Sequence, residues 1–530
     1  MRPDPFIFLL QGSRMSNITR SEEETPMSTV SRRHFFGLSA GGILGSTLLP
    51  YAASAQGSDY PFKLGVASGD PLPDSVVLWT RIAPDIFRPL PWPVEVQWEI
   101  AEDPDFQRIS GHGRAVATPE WGHSVHAEPQ GLAPGKDYYY RFHALGATSA
   151  TGRTRTAPAY GAALDRMRFA VCACQNYTRG HYAAYRDMAE QRPDLIIHVG
   201  DYIYEHAGSD GVRKMPVPEA VSLADYRAYY AMTKTDPHLQ AAHQAAPWMM
   251  IWDDHETIND YAGDTSPTMH GPAMHRRRIA AYRAYYENMP LRRDARPLEA
   301  TGNMTLYRRA VFGDLVQFDL LDTRQYRSPH PCPYEENYEA WASCPADDVA
   351  RTMLGGRQED WLARGYGMAN ARWNMIVQTT QMTPYFWEQE GQQTYRADRW
   401  DGYVAARERL YDLIRNRAPA NPFLIGGDVH AFMGSAVQNL AGEPVASELV
   451  CGAISSSGGG QDRYDRETGY YNGLNKRYFF DNRQNGYALC DVSPSHIATQ
   501  LRAVENYTDP ASPVTTLKAL TYENGALGFA

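Results

Sequence analysis

Four short apolar runs in the second part of the chain each end in side chains that carry charge or bind metal ions. The runs cover residues 167–171, 195–199, 248–252 and 423–425. Stretches of helical composition lie between them, and this alternation predicts an α/β domain with a buried central sheet. In open α/β sheets, ligands bind at the rim formed by the carboxyl ends of the strands. Because an isolated buried carboxylate is costly unless it is paired or bound to metal, the run ends predict a ligand site.

The side chains at the run ends comprise a thiol, carboxylates, imidazoles and a phenol. In chain order they are Cys174, Asp201, Tyr204, Asp254, His255, Asp428 and His430. Asp201 and Tyr204 are three residues apart, so one turn of backbone brings both oxygens to one side. Asp428 and His430 are two apart at a strand end, which puts both side chains on one face. A single Gly-Asp pair after a strand is more often a turn or a helix cap, but four coinciding strand ends favour a metal site.

The chain divides by composition into an N-terminal part and a longer second part. Residues 60–157 hold short β-rich runs separated by turn-forming stretches, which predicts an immunoglobulin- or fibronectin III-like β-sandwich of roughly a hundred residues. From residue 165 to 530 we expect the catalytic α/β domain. Its predicted helices cover residues 178–191, 226–245 and 274–288.

Residues 1–55 have the pattern of a leader. Arg32 and Arg33 precede a weakly apolar, glycine-containing run that ends in Ala53-Ser54-Ala55. This pattern resembles a twin-arginine export signal with its cleavage site, although an ordinary helix start can also carry two arginines. We expect export by the twin-arginine machinery to the periplasm or the medium. No stretch reaches the roughly 18 continuous apolar residues of a permanent membrane span.

Charge and cysteine content restrict the partners and the compartment. The net charge of −10 argues against a surface for the nucleic-acid backbone. The chain has 6 cysteines. In an oxidising compartment, Cys332 and Cys344 are the best disulfide candidates because they close a short loop.

The motif order resembles that of the calcineurin-type metallophosphoesterases. It runs Gly200-Asp201, Asp253-Asp254-His255-Glu256 and Gly427-Asp428-Val429-His430. Three departures from the general pattern are similar to the alkaline phosphatase D (PhoD) family. Cys174-Gln175-Asn176-Tyr177 replaces the opening Asp-x-His. Asp254 stands where the general pattern has the Asn of Asn-His, and Asp428 replaces the first His of the last motif. Further segments that resemble this family lie at 62–71, 77–81, 321–327, 354–362 and 400–403. The resemblance therefore covers nearly the whole mature chain.

This resemblance implies a four-layer αββα metallophosphoesterase domain that binds Fe(III) beside Ca(II). The residue chemistry agrees, since a phenolate and a thiolate suit trivalent iron better than zinc, and oxygen ligands suit calcium. We assign to iron the side chains of Cys174, Asp201, Tyr204 and Asp428. To calcium we assign the bridging Asp201 together with Asp254, Asn259 and His430. Two alternatives stay open: Asn259 as a turn residue, and His430 on iron or on the phosphate.

The implied reaction is hydrolysis of phosphomonoesters and phosphodiesters, in which a metal-bound hydroxide or oxide attacks phosphorus in line. His255 is a candidate acid or substrate-orienting group. Arg324 is a candidate phosphate clamp, with a structural salt bridge to Asp322 or another acid as the alternative. We expect His198 to be a hydrogen-bonded core histidine and Cys172 a small buried hydrophobe.

Two other functions remain open from the sequence. One is a phospholipase D-like phosphodiesterase acting on phospholipid headgroups, because related sequences are similar to both classes. The other is a non-catalytic exported binding protein with structural metals. The open, mixed-ligand motifs argue against the second alternative, since structural metal sites are usually closed by four strong ligands.

Overall fold

The computed structural model describes residues 59–208, 211–299, 301–331, 345–389, 392–457 and 478–530. The predicted leader with Arg32 and Arg33 lies outside the described residues, as do Cys332 and Cys344. No helix among the described residues has both the length and the hydropathy needed to cross a membrane.

Twenty-three strands and six α-helices make up the described chain. The strands are β1 Val66–Leu72, β2 Ser75–Arg81, β3 Val94–Ala101, β4 Ile109–Ala117, β5 Ser124–Ala127, β6 Asp137–Ala144, β7 Ala147–Thr148, β8 Gly152–Arg155, β9 Met167–Cys172, β10 Leu195–Val199, β11 Pro247–Ile251, β12 Arg308–Phe312, β13 Val316–Leu320, β14 Trp373–Val377, β15 Phe386–Gln389, β16 Gln392–Tyr395, β17 Pro422–Gly426, β18 Phe432–Gln438, β19 Pro444–Val450, β20 Tyr478–Asn482, β21 Gly486–Val492, β22 His496–Val504 and β23 Val514–Glu523. The α-helices are α1 Ala183–Glu190, α2 Leu223–Lys234, α3 Pro237–Ala245, α4 Gly271–Asn288, α5 Gly356–Gly365 and α6 Val404–Arg417, and short 3-10 helices cover Arg293–Ala295 and Trp400–Tyr403.

The four apolar runs are strands, but they belong to two sheets rather than one. Strands β9, β10 and β11 lie side by side and parallel in a nine-stranded sheet of order β23-β22-β21-β9-β10-β11-β1-β2-β5. Strand β17 lies in a seven-stranded sheet of order β12-β13-β14-β17-β19-β18-β20. The expectation of a single sheet rim is therefore wrong, and the site lies where the ends of two sheets meet.

The two large sheets pack face to face through apolar side chains. The rings of Phe169 in β9 and Phe318 in β13 meet edge to face with centroids 5.4 Å apart. Alternation along a strand sends one set of side chains into this shared core and the other set outward. In β14, Met375 and Val377 join the shared core, whereas Ile376 joins a second apolar cluster with Leu362 of α5 and residues of α6.

Helices α1 to α4 cover the outer face of the nine-stranded sheet. Trp248 in β11 lies with its ring centroid 5.8 Å from that of Tyr185 in α1 and 4.1 Å from that of His243 in α3. The layers are thus helix, sheet, sheet and helix. The single helix predicted over 226–245 is two helices, because Asp236 accepts hydrogen bonds from the first amides of α3 and Pro237 starts it.

The predicted immunoglobulin- or fibronectin III-like sandwich of the N-terminal part is not confirmed, because some of its strands continue the nine-stranded sheet. Two sheets do share an apolar cluster there, with Leu78 of β2 and Val125 of β5 packing with Val96 of β3 and Tyr140 of β6. However, β1 pairs in parallel with β11, so β1, β2 and β5 extend the nine-stranded sheet. Strand β2 is buried along its whole length, as in a central strand. The boundary between 157 and 165 stays a prediction, since residues 56–530 form one compact unit.

Candidate metal centre

Strand ends from both large sheets bring predicted ligands together. The ligand atoms of Cys174, Asp201 and His430 lie within 4.8 Å of one another, and so do those of Asp201, Asp254 and His255. Asp201 belongs to both groups. Four of the predicted site residues therefore lie around a fifth, the shared carboxylate of Asp201, in an arrangement that suits a pair of neighbouring cation sites.

The backbone at these strand ends is strained. Cys174, Asp201, Asp428 and His430 have φ values of 56°, 60°, 64° and 52°. This left-handed region is uncommon for residues other than glycine, and it is kept where the surroundings hold it in place. The strain turns each strand sharply so that the side chain after it points into the site.

Glycine is needed where these turns cross. Gly200 has φ 111°, and a Cβ there would lie 2.4 Å from Cβ of Asp253. A Cβ on Gly427 would lie 2.9 Å from Cβ of Ala173. The close approach also allows a hydrogen bond between the turns that follow β9 and β10, in which the Cys174 amide donates to the Gly200 carbonyl over 3.0 Å. The glycines before Asp201 and Asp428 thus allow neighbouring backbone segments to approach each other closely.

Glu256 ties two of the turns together. Its carboxylate accepts hydrogen bonds from the backbone amides of Asp201 at 3.1 Å, Tyr202 at 2.6 Å and Asp253 at 2.9 Å. Burial raises the pKa of Glu256 to about 7. Sequence reasoning gave this residue no role, although its place in the Asp-Asp-His-Glu motif was the available signal.

Tyr204 links Asp201 to His430. Its hydroxyl donates to Oδ2 of Asp201 over 2.8 Å and lies 3.0 Å from Nε2 of His430. Nδ1 of His430 lies 3.1 Å from the carbonyl of Ser457. Burial lowers the pKa of His430 to about 4, which keeps the imidazole neutral, as metal ligation requires.

Cys174 is buried, with 2% of its surface exposed. Burial raises the pKa of its thiol well above the ordinary value, and the negative charges of Asp201 and Asp428 raise it further. A thiolate in this position therefore needs a cation, and a coordinating ion removes the thiol proton.

His255 is held by a carboxylate that the sequence analysis missed. Nδ1 of His255 lies 2.6 Å from Oε2 of Glu205, whose Oε1 accepts from the Asn259 amide over 2.8 Å. Burial lowers the pKa of His255, but Glu205, Asp254 and Asp201 outweigh it and raise the pKa well above its usual range. Glu205 follows Tyr204 directly, and that position was the only signal.

Asn259 contacts the site through its backbone amide. Its neighbour Asp260 contributes a carboxylate, because ligand atoms of Asp254, Asp260 and Asp398 lie within 4.8 Å of one another. Asp260 and Asp398 were not predicted. This third group adjoins the second one through Asp254.

Asp428 is in none of these three groups. Its Oδ2 accepts hydrogen bonds from the Thr380 hydroxyl at 2.6 Å and from Nε of Arg399 at 3.1 Å. Thr380 follows β14 of the seven-stranded sheet, and Arg399 directly precedes the 3-10 helix Trp400–Tyr403. The predicted iron ligand is thus oriented by a hydroxyl and a guanidinium.

The contacts of Arg324 favour the structural interpretation over the phosphate clamp. Nε bonds to Asp253 at 2.5 Å, and Nη1 and Nη2 bond to the two oxygens of Asp398 at 2.7 and 2.8 Å. The side chain is 1% exposed. Its acidic partners are Asp253, Asp398 and, at 3.8 Å, Asp254, whereas Asp322 accepts from the backbone amide of Arg324.

His198 and Cys172 lie in the core, as expected. Nδ1 of His198 accepts from the Gly200 amide at 3.3 Å, and its ring stacks near Trp248. Cys172 lies inside β9 with its sulfur 3.7 Å from the Ile197 carbonyl.

Comparison with known proteins identifies the family. The PhoD-like phosphatase family matches residues 169–501, and its N-terminal domain matches residues 49–158. Alkaline phosphatase D from Bacillus subtilis (strain 168) is 38% identical over 534 aligned positions, which cover 96% of this chain and 90% of that protein. The chain belongs to the PhoD-like phosphatases.

Two solved structures agree with this membership. A structure of PhoD superposes with a TM-score of 0.83 at 38% identity and covers 88% of this chain and 91% of its own. A purple acid phosphatase from yellow lupin (Lupinus luteus) seeds has a TM-score of 0.54 at 11% identity over 86% of this chain and 74% of its own, which shows a shared fold. The predicted family resemblance is confirmed, and this PhoD-like phosphatase is a phosphoric ester hydrolase.

Membership in this family implies metal dependence, and the donor atoms of the PhoD-like site fit a cation. Within the described part of the chain, Oδ1 of Asp201 and Oδ2 of Asp253 are buried without a hydrogen-bond partner. Buried acceptors are otherwise almost always satisfied, so two orphaned carboxylate oxygens among clustered ligands are what a missing positive charge would leave.

Proposed function

We propose that this chain is an exported phosphatase that hydrolyses phosphomonoesters and phosphodiesters with Fe(III) and Ca(II) at the two-sheet junction. The observation that carries the proposal is Oδ1 of Asp201, a buried carboxylate oxygen that has no hydrogen-bond partner among the described residues and lies at the centre of two ligand groups. A single carboxylate shared by two groups suits a bridging ligand.

For iron we propose Cys174, Asp201, Tyr204 and Asp428. The support is the buried thiol next to Asp201 and the Tyr204 hydroxyl 2.8 Å from Asp201. A thiolate and a phenolate are ligands that stabilise a trivalent ion. The hydrogen bonds from Thr380 and Arg399 to Asp428 both go to Oδ2, so its other oxygen would be the atom offered to the ion.

For calcium we propose Asp201, Asp254, Asn259 and His430, and we add Asp260 and Asp398 as neighbouring carboxylates. The group of Asp254, Asp260 and Asp398 supports an oxygen-rich site. His430 lies within the Cys174 and Asp201 group, so its neutral imidazole also suits the iron side.

When bound, the ions would supply a nucleophilic oxygen near neutral pH and neutralise charge on the phosphoryl group. The chain itself contributes a protonated imidazole. Because Nδ1 of His255 is held by Glu205, Nε2 remains to donate a proton to the leaving oxygen or to a phosphoryl oxygen. Glu205 keeps His255 charged and fixes the direction of its ring.

Substrate hydrolysis and metal content test this function together. Purified protein would be assayed with nitrophenyl phosphate, bis-nitrophenyl phosphate and phosphatidylcholine, alongside its iron and calcium content. We expect both nitrophenyl esters to be hydrolysed. Metal-loaded protein that hydrolyses none of the three would overturn the proposal, and a preference for phosphatidylcholine would support the phospholipase D-like alternative.

Export has a separate test. Replacing Arg32 and Arg33 together by lysine should leave folded, active enzyme in the cytoplasm, since paired arginines are what the twin-arginine machinery recognises. Activity would be measured in periplasmic and cytoplasmic fractions. Unchanged periplasmic activity in the double variant would argue against this export route.

A further inference from the structure

Arg399 is a cation at the edge of the site that reaches solvent. Its Nε lies 3.1 Å from Oδ2 of Asp428, and the two side chains are 18% and 22% exposed. Asp428 carries one of the strained strand-end turns and is a proposed iron ligand. A guanidinium in direct contact with that carboxylate therefore lies next to the centre at which the phosphate ester has to bind.

The other two arginines near these carboxylates are placed differently. Arg324 and Arg327 are each 1% exposed and both bond to Asp398. Arg327 also donates through Nη1 to the Asp398 carbonyl over 2.7 Å. Both guanidinium groups are buried, so a phosphate that enters from solvent cannot reach them, whereas the side chain of Arg399 is 18% exposed.

The backbone on both sides of Arg399 is fixed. The preceding Asp398 accepts both terminal nitrogens of Arg324. The following Trp400 is 1% exposed and donates through Nε1 to Gln378 over 3.1 Å. Asp401 then accepts the Tyr385 amide at 2.9 Å. Arg399 is thus presented from a rigid platform, which lowers the entropic cost of a contact made by a long side chain.

We propose that Arg399 binds the non-bridging oxygens of the substrate phosphoryl group. The inference rests on the proposed function and assigns to Arg399 the contact that the sequence suggested for Arg324. Its planar fork matches two oxygens of a phosphate, and phosphomonoesters and phosphodiesters both offer two non-bridging oxygens. The contact should therefore serve both substrate classes and also bind inorganic phosphate.

Arg399→Ala and Arg399→Lys test the contact. We expect Arg399→Ala to raise the KM for nitrophenyl phosphate and the inhibition constant of inorganic phosphate by roughly tenfold or more, since a charge-assisted, two-pronged contact is lost. Arg399→Lys should recover part of the loss. Added guanidinium ion should restore activity to Arg399→Ala and leave the wild type unaffected.

Thr380→Val is the matched control for an indirect effect through Asp428. It removes the other donor to the same carboxylate oxygen, at 2.6 Å. Arg409→Ala controls for loss of a surface arginine, since Arg409 is 40% exposed and pairs with Glu359. Arg409→Ala should keep wild-type constants.

The outcomes separate the inference from the proposed function. If Arg399→Ala folds, keeps its metals and shows wild-type phosphate inhibition, the inference is wrong. It is also wrong if Thr380→Val reproduces the loss and guanidinium fails to rescue Arg399→Ala. If the wild-type protein hydrolyses no ester, the proposed function fails, and calorimetric binding of inorganic phosphate to wild type and Arg399→Ala still decides the role of Arg399.

Discussion

Two groups of buried carboxylates lie side by side in this enzyme and differ in how their charge is matched. Asp398 is surrounded by Arg324, Arg327 and His330. Burial raises the pKa of Asp398, but Arg324 and His330 outweigh burial and lower this pKa to about 2. Around Asp201, burial raises the pKa well above its usual value, and one of its oxygens has no partner among the described residues. The negative charge of Asp398 is thus balanced by cations of the protein itself, whereas the carboxylates around Asp201 need added cations.

Metal removal should act on the carboxylates around Asp201, including the proposed calcium neighbours, and should have the largest effect. Prolonged chelation is expected to abolish phosphatase activity, and calcium should restore it more readily than zinc because the outer ligands are carboxylate oxygens. Activity and metal content would be followed together. Full activity in chelator, or recovery with zinc alone, would contradict the assignment.

Arg324→Ala should act on the carboxylates around Asp398 and reduce the stability of the fold. Removing Arg324 leaves Asp253 buried without its cation and takes one of the cationic partners from Asp398, which keeps Arg327 and His330. The change is expected to cost about 3–5 kcal/mol in the free energy of unfolding. Denaturant titration would measure it. Arg415→Ala is the control, because its pair with Glu443 has a similar 2.6 Å distance but is 37% and 49% exposed. An equal, small loss in both variants would show that burial is unimportant here.

Tyr204→Phe should bleach the visible colour expected of a phenolate bound to Fe(III), and should weaken iron retention. Absorbance and iron content would be measured on the same samples. Tyr202→Phe is an unsuitable control, because the Tyr202 hydroxyl lies 2.8 Å from Nε2 of His243 and accepts from Lys234 at 3.0 Å. Tyr366→Phe serves better, since its hydroxyl donates to the backbone carbonyl of Asn374 over 3.2 Å and contacts no other ionisable side chain through that bond. A retained band in Tyr204→Phe would exclude this ligand.

Glu205→Gln should produce the smallest change, a shift in pH dependence with roughly tenfold lower turnover. Glu205 helps raise the pKa of His255, so the imidazolium persists to higher pH in the wild type. Without that carboxylate charge the proton is lost at lower pH, and activity should fall first on the alkaline side. The pH profile of kcat/KM measures this. An unchanged alkaline limb would exclude His255 as the proton donor.

The sequence was enough to find the strand ends and the family, because apolar runs and Gly-Asp turns are local patterns. It could not assign β17 to a second sheet, since periodicity reports burial and not which sheet a strand joins. The partners of Arg324 were also out of reach, because Asp253 and Asp398 are far from it in the chain and only tertiary packing selects them over Asp322. Glu205 and Asp260 are adjacent to predicted residues, but adjacency alone does not say which neighbour turns inward.

The parallel pairing of β1 with β11 has a consequence for how the chain folds. Ser68 pairs opposite Pro247, so one of the first strands to be synthesised has to wait for a strand made much later. Such non-local pairing slows folding, and until it forms the β11 edge is open to other chains. A chain that began at residue 165 would keep that edge open permanently. Completion of the sheet would therefore protect the enzyme from aggregation.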